Sequence, residues 1–189
     1  MCPAHEKGNP TNMLSDDSRR HLEKYWQLSV ERFRAADSAL AAFFAITLIE
    51  EVGKVVILGN ASLGAELDRK GFRNHAEKYI YAVGATLDVN ARVTRVYGNE
   101  EARFAAWFRK KELFNMRNRA LYMELRGIDV VVPEKEIERS DALLLVCIAG
   151  EVYAEIQGRF TGTGPKEWQR ILAEVDAFRT TALEKTGKS

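Results

Sequence analysis

Residues 40–59, LAAFFAITLIEEVGKVVILG, set the strongest limit on the fold, because they are apolar on nearly every side of a helix. A helix that is hydrophobic all round is buried in a folded protein. Four polar residues nevertheless share one arc of this helix when successive residues turn by about 100°: Thr47, Glu50, Glu51 and Lys54. Apolar residues frame them at both ends, so they form a patch rather than the continuous polar stripe of a surface helix.

This polar patch needs partners if it is buried, since moving charges out of water is costly unless they are paired and hydrogen-bonded. Gly53 lies beside the patch, where glycine is less favourable than alanine by about 1 kcal/mol in a helix. It therefore indicates the close approach of another backbone or of a ligand. The alternative is an exposed strip in which Glu50 and Lys54 form an ordinary pair four residues apart. The apolar surroundings favour a packed or functional polar cluster.

Helical periodicity runs through most of the remaining chain, and no segment alternates with period two for long. The pattern predicts helices over residues 17–35, 38–58, 72–93, 99–126 and 134–160, and a final helix from Pro165 to about Lys185. The clearest of them is 99–126, in which Trp107, Phe114 and Leu121 recur every seven residues. Residues 128–133, IDVVVP, are predicted to be a short extended linker, because the residue before a proline is disfavoured in a helix. We therefore expect an all-α fold, an up-and-down bundle of about five to six helices.

Composition narrows the class of protein. Lys and Arg total 28 and Asp and Glu total 27, so any contact with phosphates must come from a local patch. Cys2 and Cys147 lie far apart in different surroundings, which argues against a disulfide framework, and neither has neighbours spaced as metal ligands. No apolar run approaches the roughly 20 residues of a membrane span, and no signal peptide is apparent. We expect a cytoplasmic protein without membrane, metal or cofactor, with residues 1–14 as a disordered tail and 15–186 as a single domain.

Two other segments can be interpreted either as ordinary structural elements or as ligand-binding sites. Residues 159–168, RFTGTGPKEW, resemble a phosphate cradle, but no strand precedes them and a turn is the favoured interpretation. Residues 107–119, WFRKKELFNMRNR, are the densest basic run and are interleaved with aromatic residues. This run could attract an RNA backbone, although long basic side chains usually solvate a helix face.

Two helical segments offer partners to the polar patch. FRNHAEKY carries His75 and Lys78, about 60° apart, with His75 in line with Phe72 and Tyr79 on the apolar stripe. A lone histidine on such a face is most often a core residue whose hydrogen bonds are satisfied.

The segment NMRNRALYMEL supplies the second group of partners. Arg117 and Asn118 flank its apolar seam, and Tyr122 follows Asn118 by one helical turn. Arginine beside a buried seam indicates an anion, since its planar fork fits a carboxylate or a phosphate in two-point contact. Glu51 would provide that anion internally, and a nucleotide or RNA phosphate would provide it externally.

Together these stretches resemble the AbiV-type abortive-infection proteins within the HEPN superfamily of small helical bundles. The resemblance spans roughly residues 20–160 and rests on LIEEVGK, FRNHAEK and RNRALYMEL, followed by Gly127 and Pro133. It implies a HEPN fold and a phage-defence protein whose activation stops protein synthesis. It also implies a homodimer, with a phage protein as the candidate trigger.

The sequence departs from the pattern of the HEPN ribonucleases. Many of these metal-independent enzymes carry an Arg followed a few residues later by a His, paired across a dimer cleft. Arg117 and Asn118 match the opening of that motif, but Tyr122, Met123 and Glu124 occupy the places where the His would fall. The resemblance therefore implies a ribonuclease with a degenerate motif, unless His75 reaches the arginine from another segment.

The chemistry of RNA cleavage assigns candidate roles. Attack by the 2′-hydroxyl needs a base, an acid for the leaving oxygen, and positive donors at the phosphate. Histidine titrates near neutrality and suits proton transfer, whereas an unperturbed Tyr with a pKa of about 10 is a poor base. Glu51 acts as a base only if burial raises its pKa. The candidate catalytic residues are therefore Arg117, His75 and Glu51, and the candidate binding residues are Lys54, Lys78, Asn118, Tyr122 and Glu50.

Three functions stay open at this point. The first is a HEPN-type effector that acts on RNA or on the translation machinery through Arg117, His75, Glu51 and Lys54. The second is a non-catalytic module that binds a nucleotide or a protein, in which the polar cluster holds the helices in register. The third is a plain structural bundle in which Glu51 and Arg117 are exposed and separated. The distances among these side chains distinguish the three.

Overall fold

A computed structural model describes residues 15–86, 91–160 and 164–186 of the chain. Within these ranges the fold contains ten helices and one two-stranded antiparallel hairpin, so the prediction of an essentially all-α fold is confirmed and the count of five to six helices is too low. In chain order the elements are α1 (Asp16–Arg34), α2 (Ser38–Ser62), α3 (Arg69–Arg73), α4 (His75–Thr86), α5 (Ala91–Tyr97), α6 (Asn99–Arg109), α7 (Glu112–Arg119), β1 (Glu124–Arg126), β2 (Asp129–Val131), α8 (Pro133–Glu136), α9 (Arg139–Phe160) and α10 (Gly164–Thr186).

Helix α2 lies at the centre of the bundle, packed against α1, α4 and α9, and α10 packs on α9. Its side chains Ile46, Ile49 and Val52 are fully buried, as expected for a helix that is apolar on nearly every side. Asp37 caps its beginning by accepting a hydrogen bond from the backbone N–H of Leu40 at 3.0 Å. The burial of α2 makes every polar group along it a group that needs a partner.

The predicted end of α2 at Gly59 and Asn60 is wrong. Both residues remain helical, and the helix continues to Ser62. The left-handed backbone conformation that stops a helix falls at Gly64, with a φ of 99°. Because Gly59 is buried against neighbouring helices, tertiary packing there outweighs its low helix propensity.

The predicted helix over residues 99–126 is also wrong. The chain breaks at Lys111, which adopts a left-handed φ of 57°, and the last three residues form strand β1. Its partner strand β2 lies within the predicted linker 128–133, with Leu125 opposite Val130 across a turn at Gly127. The seven-residue spacing did not mark a buried face, because Phe114 and Leu121 are more than a third exposed. The side chains that enter the core from this region are Phe104, Leu113, Met116 and Ala120.

The predicted helix over residues 72–93 is interrupted at Asn74, whose backbone is extended with φ −98° and ψ 121°. The Asn74 side-chain oxygen accepts a hydrogen bond from the N–H of Ala76 at 2.9 Å, so this residue caps α4. His75 is consequently the first residue of a new helix rather than the middle of a long one. The predicted helix 134–160 likewise divides into α8 and α9, and residues 87–90 lie outside the described ranges.

The predicted N-terminal tail, residues 1–14, and residues 161–163 of the predicted turn lie outside the described residues. The division into a tail and a single domain therefore stays a prediction. Among the helices described, none has the length and apolar character to cross a membrane. No group of three His, Cys, Asp or Glu side chains in the described part of the chain is placed to hold a metal ion.

Candidate functional site

Helix α4 meets α2 at Gly53, beside Glu50 of the polar patch. A Cβ added to Gly53 would overlap the backbone carbonyl of Lys78, so only glycine permits this approach. The close backbone contact inferred from Gly53 is thus confirmed, and the partner is α4. It brings the beginning of α4, with His75 and Lys78, directly over the carboxylate of Glu50.

Glu50 is the anion at the centre of the site and is only 5% exposed. Its carboxylate accepts a hydrogen bond from Lys78 Nζ at 2.7 Å and forms a second one, also 2.7 Å, with His75 Nδ1. Arg117 Nε lies 3.8 Å from Glu50 Oε2, the oxygen that His75 contacts. The structure therefore joins residues from α2, α4 and α7 in one group, called here the ionic cluster: Glu50, His75, Lys78 and Arg117.

The surroundings of the ionic cluster determine which of its acidic groups are ionised. Burial on its own raises the pKa of Glu50, but hydrogen bonds from Lys78 and His75, together with the positive charge of these partners, lower the pKa below its ordinary value. The carboxylate consequently stays ionised at neutral pH. Burial, aided by the negative charge of Glu50, raises the pKa of the nearby Tyr79, whose hydroxyl has no hydrogen-bond partner among the described residues. Tyr79 therefore remains a neutral phenol beside the cluster.

The cluster opens toward solvent through two of its members. Lys78 is 4% exposed, whereas the His75 side chain is 39% and the Arg117 side chain 23% exposed. The Arg117 guanidinium lies over the ring of Phe43, 5.4 Å from its centre, and Arg117 Nε has no hydrogen-bond partner in the described part of the chain. The arrangement is a buried anion that holds one enclosed cation and two partly accessible cationic or titratable groups.

The other carboxylate of the patch points elsewhere. Glu51 Oε1 is 2.5 Å from Lys54 Nζ, and His21 Nε2 of α1 lies 3.7 Å from Glu51 Oε2. The carboxylate that meets Arg117 is therefore Glu50 and not Glu51. The two residues differ by about 100° around the helix, so α4 can cover only one of them. Glu51 and Lys54 form an ordinary partly buried ion pair apart from the ionic cluster.

Asn118 and Tyr122 lie at the end of α7 rather than along one helix. The Asn118 carbonyl accepts hydrogen bonds from the N–H groups of Leu121 and Tyr122, which closes the helix in a turn. Tyr122 follows this turn and is 59% exposed. Tyr122 therefore lies one turn after Asn118, as expected from the sequence, but beyond Arg119, where α7 ends.

An open pocket of about 990 Å³ borders the ionic cluster. His75 forms part of its wall, and the Phe114 ring lies 5.3 Å from the His75 ring. Four basic residues also line it, without any carboxylate among the lining residues: Arg69, Lys70, Arg73 and Lys111. We call this the basic pocket. Arg117 does not line it, so His75 is the member of the ionic cluster that connects the two.

Sequence reasoning missed most of the basic pocket. Lys111 lies in the basic run at 107–119, but Arg69, Lys70 and Arg73 come from the segment DRKGFR, forty residues earlier. Asp68 caps α3 by accepting a hydrogen bond from the N–H of Gly71, which leaves the basic side chains on the surface of this short helix. The motif that could have located α3 and α4 is the pair of capping residues Asp68 and Asn74, each followed by a short polar turn.

The pocket and the cluster together suit an anionic ligand. His75 Nδ1 is held by Glu50, and no described residue bonds Nε2, which leaves that nitrogen to accept or donate a proton. The positive charges around it attract phosphates, and an exposed aromatic ring offers a stacking surface to a base. A pocket of this composition can accommodate a ligand that carries phosphate groups.

Comparison with known proteins identifies the family. The AbiV family model, one of the HEPN group, matches residues 13–154, which is 142 of the 189 residues. The match contains the whole ionic cluster and the whole basic pocket and ends within α9. No curated protein and no solved structure matches the chain.

Proposed function

Because the chain belongs to the AbiV family of HEPN-type abortive-infection proteins, we propose that it is a phage-defence effector that binds RNA in its basic pocket and thereby halts protein synthesis. The observation that carries the proposal is a concentration of four exposed cations, without a carboxylate among the lining residues, beside a histidine held by a buried glutamate. The homodimer and the phage protein as trigger remain predictions from the family resemblance.

Unpaired charge supports RNA as the ligand. Among the described residues, no carboxylate forms an ion pair with the side chains of Arg69, Arg73 or Lys111, whereas the charge of Lys70 acts on the carboxylate of Asp68. By contrast, Arg119 from the same basic run is paired with Glu112. Cations that are not already neutralised release the counterions of a nucleic acid most effectively when they bind its phosphates. The basic run therefore divides into residues that stabilise the fold and residues available to a ligand.

The neighbouring ring gives the pocket a means of holding a base. Phe114 is 37% exposed and lies beside His75 at the wall of the pocket. Stacking of a nucleic-acid base on an aromatic side chain contributes about 1–3 kcal/mol and tolerates any base. A stacked base at Phe114 would place the adjoining phosphates among the cations of the pocket and near His75 Nε2.

The proposed chemistry is proton transfer at His75. Its Nε2 accepts the proton of the RNA 2′-hydroxyl as the 2′-oxygen bonds to phosphorus, and the 5′-oxygen leaves and takes a proton from water. Glu50 holds the imidazole in position through its hydrogen bond with Nδ1. Arg117 acts on the same carboxylate oxygen and positions it. Glu51, paired with Lys54, takes no part in this mechanism.

The non-catalytic alternative, a module that binds RNA or a nucleotide without cleaving it, is favoured by one observation. Arg117, the residue that matches the opening of the HEPN nuclease motif, lies in the ionic cluster and not among the residues that line the basic pocket. Under this alternative the cluster only fixes the pocket, and bound RNA stays intact.

Binding of a labelled single-stranded RNA, followed by fluorescence anisotropy over a range of salt concentrations, tests the proposal. We expect Arg73→Gln and Lys111→Gln each to weaken binding, and each to reduce the slope of log K against log salt by about 0.7, the value for one phosphate contact to a single strand. Arg95→Gln is the matched control, since Arg95 is an exposed arginine of α5 that does not line the pocket. Equal binding by all three variants and the wild type would refute the basic pocket as the RNA site.

A cleavage assay separates the enzyme from the binding module. His75→Asn keeps an amide N–H where Nδ1 faces Glu50 but removes the Nε2 proton acceptor, so we expect normal RNA binding, an unchanged melting temperature and loss of cleavage. RNA that remains intact with pure wild-type protein, while it is bound in the basic pocket, establishes the non-catalytic alternative instead.

A further inference from the structure

A second pocket, of about 270 Å³, lies where α9, α10 and the segment around α6 meet. It shares no lining residue with the basic pocket. Its wall combines three arginines and one glutamate with apolar side chains, and we call it the arginine pocket. The residues that line it include Arg103, Arg139, Arg179, Glu100, Leu143, Cys147 and Leu183. The α10 side of this pocket lies beyond residue 154, where the match to the AbiV family model ends.

Two arginines of this pocket carry charge that the described protein does not neutralise. Arg179 Nε is buried and has no hydrogen-bond partner among the described residues. Arg139 lies over the Phe33 ring at 4.1 Å and donates to the Phe33 carbonyl at 3.3 Å, and no described carboxylate pairs with it. A buried guanidinium donor without an acceptor is costly, which indicates a place for an anion.

A third arginine at the pocket does not add to this free charge. Arg103 donates to Glu100 at 3.0 Å and also forms an ion pair with Asp141. Its positive charge is therefore offset within the protein. The anion site consists of Arg139 and Arg179 alone.

The uncharged part of the wall consists of three leucines and Cys147, together with Tyr97 and Ser140. The leucines come from two helices, Leu143 and Leu144 from α9 and Leu183 from α10. Cys147 is 1% exposed, and burial raises the pKa of its thiol to about 12. It is therefore a neutral thiol at physiological pH and behaves as a small apolar surface, not as a nucleophile.

We propose that the arginine pocket binds a small carboxylate with a short hydrocarbon tail. The planar fork of Arg179 receives the carboxylate in two-point contact, Arg139 adds a second positive charge, and the tail packs on the leucines. The volume, about 270 Å³, lies close to the lower end of the range of about 300–1,000 Å³ usual for small-molecule sites. This inference is independent of the proposed function of the basic pocket.

Such a ligand would join two helices that are also held together by a buried network. Tyr97, which lines the pocket, donates to Glu151 of α9 at 3.0 Å, and Glu151 is fully buried. Arg92 bonds both Glu151 and Asp176 of α10. Ligand in the pocket would add a further link between α9 and α10, so binding raises the melting temperature of the protein.

Titration of the full chain with sodium hexanoate tests the proposal, by calorimetry for affinity and by amide NMR shifts for location. We expect saturable binding, with shifts concentrated at residues 139–147 and 179–183. Hexan-1-ol lacks the charge and hexylammonium has the opposite charge, so both should bind at least tenfold more weakly. Saturable hexanoate binding that maps elsewhere, its absence, or equal binding of hexylammonium would overturn the proposal.

Matched variants identify the contact. Arg179→Gln should weaken hexanoate binding about tenfold, and Arg179→Lys, which keeps the charge but loses the fork, should weaken it less. Arg73→Gln removes an arginine from the basic pocket and should leave hexanoate binding unchanged. If Arg179→Gln does not fold, Arg179→Lys decides the question alone, and hexanoate affinity equal to that of the wild type would contradict the inference.

Discussion

Glu50 is a single carboxylate shared by three groups that carry or can carry positive charge. Lys78 and His75 bond it directly, and Arg117 lies 3.8 Å away. Transfer of an ion out of water costs several kcal/mol even after relaxation, and paired geometry must offset that cost. Removal of Glu50 therefore leaves three groups without their counter-ion, whereas removal of Lys78 leaves the carboxylate with two partners.

We expect the two single substitutions to differ in size for this reason. Glu50→Gln should lower the free energy of unfolding by about 3–5 kcal/mol, the usual cost of breaking a buried ion pair from one side. Lys78→Met should cost less, because Glu50 keeps His75 and Arg117. The double variant should lose less than the sum of the two single losses, with a coupling of at least about 0.5 kcal/mol.

Urea unfolding of the wild type and the three variants measures these differences. Lys54→Met, which removes the partner of Glu51 in the neighbouring partly buried pair, is the comparison for an ordinary ion pair, expected to cost about 1 kcal/mol or less. Additive losses for Glu50 and Lys78 would mean that the two side chains do not interact, and the ionic cluster would lose its physical basis.

The sequence indicated the segments that form the ionic cluster, but it did not show whether Glu50 or Glu51 is the carboxylate in it. Periodicity placed Glu50 and Glu51 on one polar arc, and the arginine of a later segment indicated an anion between them. Which of the two faces α4 depends on the packing against Gly53, since a helix rotation of about 100° separates them. A rotation of that kind is set by tertiary contacts, which a single sequence does not specify.

At the scale of elements, the contact between α2 and α4 determines whether the cluster forms. At an ordinary position in a helix, replacement of glycine by alanine stabilises a protein by about 1 kcal/mol. Here the added Cβ would overlap the Lys78 carbonyl, so α4 must shift away from α2. We expect Gly53→Ala to destabilise by about 1–3 kcal/mol, the usual cost of overpacking a core, as measured by urea unfolding.

The matched control on the same helix is Asn60→Ala, an exposed position near the end of α2. Its effect should stay within about 0.5 kcal/mol. Because the expected sign for Gly53→Ala is opposite to that of helix propensity, a stabilised Gly53→Ala variant would show that α4 does not approach α2 as closely as described.

The elements that the sequence misassigned have local causes. Residues 99–126 carry good helix formers, yet Lys111 adopts a left-handed conformation without a glycine to announce it. Beyond α7, Gly127 lies in the turn of the β1–β2 hairpin. The sequence pattern had instead predicted that Gly127 follows the last turn of a helix. Helix α1, by contrast, has acidic first-turn residues and a Ser15 cap, and its prediction is confirmed.

At the scale of the whole molecule, the bundle follows from the sequence but its pockets do not. Helical periodicity through the chain predicted the all-α architecture, because each amphipathic face must be buried by another helix. The basic pocket combines α3 with Lys111, about forty residues later, and the arginine pocket combines Arg139 with Arg179. Such pairs meet only through the tertiary arrangement, and nothing in their local patterns distinguishes them from solvated charges.

Global stability should depend on pH through Glu50 in a defined direction. Its pKa is below the ordinary value of 4.5 in the folded protein, so the unfolded chain takes up a proton first as the pH falls. The stabilisation from Glu50 is complete above about pH 4.5 and is lost as the pH falls toward the folded pKa. In that window the wild type should lose up to about 1.4 kcal/mol per pH unit more than Glu50→Gln, which cannot titrate. Urea unfolding of both proteins between pH 7 and pH 3 measures this difference in the free energy of unfolding. Asp68 and Glu167 also have lowered pKa values, so only the difference between the two curves reports on Glu50. Parallel curves through this range would show that the carboxylate has no favourable charge partners in the folded state.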